Sequence, residues 1–165
     1  MGDSPTFTLL AATPDDVPLV LALIRELADY EQLAHEVVAT EADLHAALFG
    51  VDAVAHAVVA RTAQGEPAGF ALYFFNFSTF VGKPGLYLED LFVRPAFRRR
   101  GLGRALLAHL AQIAGARGCG RMEWSVLNWN AQAIAVYRAI GAVPMDEWTV
   151  QRLSGDALQR LASAL

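Results

Sequence analysis

A change of hydrophobic period near residue 53 constrains this chain more than any other feature of it. Upstream, Val17, Val20, Leu21, Ile24, Leu27 and Ala28 recur at helical spacing and predict a helix running to about Tyr30. Downstream, Ala57 to Arg61 and Gly69 to Phe77 are rich in β-formers and are separated by Thr62-Ala63-Gln64-Gly65-Glu66, a hairpin connection. Leu86 to Val93 is a third extended run, stopped by Pro95. The helical period then returns from Leu102 to Ala116, with Leu106, Leu107, Leu110, Ile113 and Ala114 on one side.

Local signals place the remaining elements. Phe7 to Ala11 reads as a first strand, followed by Thr13-Pro14-Asp15-Asp16, which combines an N-cap, a proline at N1 and a carboxylate at N3. Pro18, one turn in, fits a helix interior least well. Thr40 and Asp43 repeat the capping signal before Leu44, Ala47 and Leu48, and Gly50 stands where a glycine ends a helix. Arg121 to Leu127 reads as strand, Ala131 to Ile140 as helix stopped by Gly141, and Trp148 to Leu153 as a last strand before a short C-terminal helix. The order β, α, α, β, β, β, α, β, α, β predicts an α/β domain with one long sheet and helices on its faces. At 165 residues without linker or repeat, residues 1–165 are expected to form a single domain.

Composition removes several classes. A net charge of -4 disfavours a phosphate backbone as partner and favours cationic ligands. Mean hydropathy is +0.32, yet no apolar stretch nears the roughly 20 residues that span a bilayer, so the excess reads as a buried subunit interface. The N-terminus lacks the basic start and apolar run of a signal peptide, which predicts a cytoplasmic protein. Met1-Gly2 with Thr6 fits a short myristoylation pattern, but no basic cluster follows it. Cys119 stands alone, and His35, His45, His56 and His109 show no metal-ligand spacing, so neither a disulfide nor a metal is expected.

The segment most suited to a ligand is Arg98-Arg99-Arg100-Gly101-Leu102-Gly103-Arg104, between a strand and a helix. At a helix start the first amides lack intrahelical acceptors and the macrodipole is positive, so an anion is stabilised there. Glycines let phosphates approach the backbone, and the arginines add bidentate donors. A solvated charge run with a turn is the plain alternative. A dinucleotide site is disfavoured because Leu106 stands where a third glycine would be, and no Lys-Ser/Thr pair marks a nucleotide P-loop.

Arg98-x-x-Gly101-x-Gly103 resembles the acyl-CoA pyrophosphate signature of GNAT acetyltransferases, and the resemblance runs over nearly the whole chain. It is most similar to the diamine acetyltransferase branch, which includes spermidine/spermine and thialysine acetyltransferases. Tyr87-Leu88-Glu89-Asp90-Leu91-Phe92-Val93 looks like that branch's strand before the loop, Asn128-Trp129-Asn130 with Tyr137 like its second cofactor motif, and Arg25 to Glu31 like its first helix. The resemblance implies a GNAT fold with a mixed, mostly antiparallel sheet of about six to seven strands, a homodimer, acetyl-CoA as co-substrate, and no metal. It implies that Leu91, Phe92, Val93, Arg98, Arg99, Arg100, Gly101, Leu102, Gly103, Arg104, Asn130 and Tyr137 bind the cofactor. Glu89 would accept the amine's proton, directly or through water, and Tyr137 would protonate the departing sulfur. Tyr30, Glu31, Glu89 and Asp90 would contact a small-molecule amine. Asp90 points to the opposite face from Glu89 if the strand is regular.

Ser78-Thr79-Phe80 is similar to the thialysine enzymes' Ser-Thr-Trp and unlike the Asp-Pro-Trp of the polyamine enzymes, and Glu123 departs from the thialysine branch in being acidic. Asp146-Glu147-Trp148 could supply a further carboxylate. Taken singly, Glu89 could be a strand-end charge, Asn130 an N-cap and Tyr137 a packed aromatic. Two readings of other classes stay open: a non-catalytic acyl-CoA sensor, and a nucleic-acid binder using Arg94, Arg98, Arg99, Arg100 and Arg104, although no stacking aromatics alternate with them.

Overall fold

The computed structural model describes residues 7–164, so the signal-peptide and lipidation readings of residues 1–6 lie outside the described residues. Residues up to Trp129 form one compact unit and Asn130 onward a second. The first holds strands β1 (Phe7–Ala11), β2 (His56–Thr62), β3 (Pro67–Ser78), β4 (Lys83–Val93) and β5 (Arg121–Trp124), with helices α1 (Val17–Tyr30), α2 (Glu41–Phe49) and α3 (Leu102–Ala116). The second holds α4 (Ala131–Ala139) and α5 (Gly155–Ala162).

The sheet runs β1-β2-β3-β4-β5, antiparallel through β4 and parallel between β4 and β5. It is mixed and mostly antiparallel, as expected, but among the described residues it has five strands where six to seven were expected. Residues 148–153, expected as a strand, are irregular. A run of β-formers records a tendency, and a strand exists only where a partner supplies a ladder.

Turn chemistry explains where helices begin. Thr13 and Asp16 form the expected capping box, but around a single 3-10 turn, Pro14–Asp16. The α-helix proper starts at Val17, which puts Pro18 in its first turn, where no N–H is needed. Thr40 and Asp43 close a second box at α2, the Asp43 amide donating to the Thr40 hydroxyl at 3.2 Å. Gly50 ends that helix because a Cβ there would strike the Ala46 carbonyl.

The sheet buries both faces. On one, Ala57, Val59, Phe70, Leu72 and Phe92 pack with Val17, Val20, Leu21, Leu23 and Leu27 of α1 and Leu44 and Leu48 of α2. The alternate residues, among them Val58, Ala60, Ala71, Leu86 and Leu88, are buried on the other face. There α3 packs through Leu102, Leu106, Leu107 and Leu110. Each such Leu or Phe contributes about 1.5–3 kcal/mol by leaving water.

One irregularity shapes the site. Leu72 pairs with Asp90 and the next residue, Tyr73, with Leu88, so Glu89 is an extra residue bulged out of β4. Counting alternate residues from Tyr87 puts Glu89 on the α1 face, and counting back from Phe92 puts Asp90 there too. The condition under which Glu89 and Asp90 would face apart, a regular strand, is therefore not met. The β4–β5 ladder also stops at Leu88↔Trp124, directly before the bulge. With no β4 partner beyond Leu88, β5 ends at Trp124 and not at the expected Leu127.

Candidate active site

Beyond the bulge, Asp90, Leu91, Phe92 and Val93 pair with β3 alone; no strand among the described residues lies along their other edge. That edge presents backbone donors and acceptors to an extended ligand.

Immediately after β4, Pro95–Phe97 makes one 3-10 turn and the chain enters the arginine loop. Arg99 has φ of +61° and Gly101 φ of +79°. A non-glycine residue in the left-handed region is uncommon and concentrates where backbone shape serves a ligand. Left-handed residues interleaved with ordinary ones turn successive amides inward as an anion-binding concavity. Gly101 caps α3, whose first intrahelical bond runs from the Ala105 amide to the Gly101 carbonyl at 2.9 Å, so the amides of Leu102, Gly103 and Arg104 precede the helix's own ladder. A Cβ on Gly103 would come no nearer than 4.0 Å to any side chain, the nearest being Val93 Cγ2. The space beside Gly103 is therefore open to a phosphate, and the residues fit the acyl carrier's pyrophosphate.

The arginines divide. Arg99, Arg100 and Arg104 are exposed. Arg98 is turned inward: its Nε donates to the Val93 carbonyl at 2.9 Å, and its guanidinium lies 4.7 Å from the Tyr30 ring centroid and 5.6 Å from that of Phe92. Arg94 makes a bidentate pair with Glu26 at 2.7 and 3.0 Å and donates to the Pro67 carbonyl, tying α1 to the end of β4.

The residues expected to contact an amine gather where α1 ends. Glu31 caps α1 beside Tyr30, whose ring meets Trp129 at 6.0 Å. Burial pushes the Asp90 carboxyl up to about 6, with the neighbouring charges of Glu89 and Glu31 adding to the rise. Burial also raises Glu31. The structure thus brings Glu31, Glu89 and Asp90 into one electrostatic group, with Glu89 exposed at the bulge.

In the second unit, the Asn130 side chain accepts from the Ala133 amide at 3.2 Å as the N-cap of α4, which carries Tyr137 two turns further on. Ser78, buried, accepts from the Val81 amide at the β3–β4 turn, while Phe80 is 97% exposed. Among the described residues no group of three His, Cys, Asp or Glu side chains could hold a metal, and no helix is long and apolar enough to cross a membrane.

A cradle for phosphates at one end of β4 and carboxylates at its bulge suit transfer of an acyl group from a phosphate-bearing carrier to a basic acceptor. The chain belongs to the acetyltransferase (GNAT) family, whose pattern matches residues 21–142, and it is an acetyltransferase. It is 38% identical to the thialysine N-epsilon-acetyltransferase of Bos taurus, over 92% of this chain and 94% of that one. It is 34% identical to an L-ornithine N5-acetyltransferase of Arabidopsis thaliana, over 91% of this chain and 85% of that one. An integron cassette protein of V. cholerae shares the fold with a TM-score of 0.79 and 28% identity, over 99% of this chain and 100% of that one. Enzymes of this family use acetyl-CoA as co-substrate.

Proposed function

We propose that this enzyme acetylates the side-chain amine of a small diamino acid of the thialysine or ornithine kind. Acetyl transfer to an amine of a small molecule is the activity its relatives carry, and the observation that supports a cationic acceptor here is the bulge that turns Glu89 and Asp90 onto one face beside Glu31.

An alkyl ammonium with a pKa of about 10.4 must lose a proton before its nitrogen can attack. Asp90, held at about 6, is a stronger base than an ordinary aspartate, and the exposed Glu89 beside it passes the proton to solvent. Acetyl-CoA supplies a thioester-activated acetyl group. The unpaired edge of β4 at Leu91, Phe92 and Val93 orients the carrier arm, and its amides stabilise charge on the thioester oxygen. Gly101, Leu102, Gly103 and Arg104 hold the pyrophosphate by backbone amides, with Arg99 and Arg100 adding charge. As the new N–C bond forms and the C–S bond breaks, Tyr137 gives its hydroxyl proton to the sulfur, the nitrogen's second proton restores that hydroxyl by way of solvent, and Asn130 binds the carrier arm. Tyr30 and Glu31 bound the acceptor.

The apolar fraction of 55% supports a homodimer, and we place the protein in the cytoplasm with no metal. Arg94 and Arg98 turn to partners within the protein, which leaves Arg99, Arg100 and Arg104 of the five arginines considered for a nucleic-acid backbone and favours the small-molecule reading.

Thiol release from acetyl-CoA, followed with thialysine, ornithine, lysine, putrescine and spermine under one set of conditions, tests the acceptor. The diamino acids are expected to give the highest kcat/KM. A tenfold preference for spermine would overturn this assignment.

A further inference from the structure

The α1 face that carries Glu89 and Asp90 continues back along β4 and across to β5. The pairings Gly85↔Arg121 and Tyr87↔Glu123 set Arg121 and Glu123 on that same face, since paired residues point the same way. There the two side chains form an ion pair of 2.8 Å, 44% and 34% exposed. Tyr87, paired with Glu123 and two residues before Glu89, has its ring stacked on Phe74 with centroids 5.0 Å apart and planes at 29°, and its hydroxyl meets Ser125 Oγ at 3.0 Å. Gly85, having no side chain, lets the stem of Arg121 and the amide of Asn76 lie over the strand.

We propose that Arg121 and Glu123 read the α-carboxylate and α-ammonium of the acceptor, so that the enzyme is specific for a free amino acid whose side-chain amine is acetylated. This rests on the acceptor class proposed above and names the residues that select it. A zwitterionic head group presents one charge of each sign, and an adjacent guanidinium and carboxylate are its complement. When the head group docks, the internal pair is exchanged for two external pairs and no charge is left alone. A polyamine offers only cations, so it would set an ammonium against Arg121, a repulsive element that works against that class.

The spacing agrees. With Glu89 bulged out, Tyr87 to Asp90 covers only the two steps from Phe74 to Leu72 on β3, so at about 3.3 Å per residue and 4.8 Å between strands Glu123 and Asp90 stand about 8 Å apart at the backbone. A diamino acid's α-carbon and terminal nitrogen are separated by four or five bonds, about 5 to 6 Å, and the side chains of Glu123 and Asp90 close the gap from either end. The flat Tyr87–Phe74 stack supplies an apolar floor for the stem between them. The ion pair has little other purpose, because an exposed pair of this kind adds little to stability.

The test uses three acceptors, thialysine, its carboxamide and its Nα-acetyl derivative, with wild type, Arg121→Gln and Glu123→Gln, and reads kcat/KM by thiol release. Wild type should prefer thialysine to each blocked form by tenfold or more. Arg121→Gln should bring the carboxamide to within threefold of thialysine while still rejecting the Nα-acetyl form, and Glu123→Gln should do the converse. If wild type discriminates and both variants discriminate equally well, the head group is read elsewhere and this inference falls, while the acceptor class stands. If wild type shows no preference for thialysine over its blocked forms or over spermine, the acceptor class falls as well.

Discussion

Gly101 and Gly103 differ in what their missing side chains permit. At Gly101 the backbone itself, with φ of +79°, resists any L side chain, so a substitution there would confuse strain with ligand loss. At Gly103 a Cβ meets nothing closer than 4.0 Å, and alanine suits a helix better than glycine by about 1 kcal/mol. Gly103→Ala should therefore leave the thermal midpoint unchanged or raised while weakening acetyl-CoA binding tenfold or more, measured by calorimetry beside a melting curve. Tyr137→Phe asks a different question, since it removes one oxygen and keeps the ring. Folding and cofactor affinity should hold while kcat at saturation drops 10²- to 10⁴-fold, the range for a general acid. Of the residues proposed for the site, the glycines, Glu89 and Tyr137 stand out in the sequence as a motif. The inward turn of Arg98 does not, because three consecutive arginines read as a solvated run and only the folded chain brings the Tyr30 and Phe92 rings to the first of them.

Arg98 joins elements that are far apart in sequence: the end of α1 through Tyr30, the end of β4 through the Val93 carbonyl, and the loop before α3. Arg98→Met keeps much of the stem but loses a charged hydrogen bond and the contact with two rings, a cost of about 1 to 3 kcal/mol. On the proposed roles, in which Tyr30 bounds the acceptor and the loop holds the donor, KM should rise several-fold for both substrates with a smaller change in kcat. Steady-state kinetics with urea melts on the same samples would check it, and a change in one KM alone would confine Arg98 to that site. At this scale the periods of three and a half to four residues and of two were enough to place nearly every helix and strand, α3 to the residue. The bulge in β4 was not legible, since Leu88, Glu89 and Asp90 alternate no differently from an unbroken strand and the extra residue is defined only by the partner, β3. Trp148 to Leu153 failed for the related reason that β-forming side chains cannot report whether a ladder awaits them.

For the whole molecule, the raised Asp90 couples the site to stability. Between pH 3.8, its ordinary value, and about 6, the folded chain keeps a proton that the unfolded chain has released. Its contribution to stability is therefore full below pH 3.8 and is lost as pH rises through about 6. Asp90→Asn should melt higher than wild type at pH 7.5 and no higher at pH 3.5, in thermal scans at constant ionic strength, and it should lose most activity at pH 7.5. An equal change in melting at the two values would show that Asp90 titrates as an ordinary aspartate. The bulge that creates this tension also divides β4 into two reading frames. Before it, odd-numbered Tyr87 and Glu89 lie on the α1 face; after it, even-numbered Asp90 and Phe92 do, with Phe92 in the core and, among the described residues, no strand along the backbone edge beside it. On the proposed roles, changes at Tyr87 and Glu89 would alter which amine is chosen while the backbone edge beside Phe92 goes on holding the acetyl donor, so a lineage carrying this strand can change its diet and keep its tool.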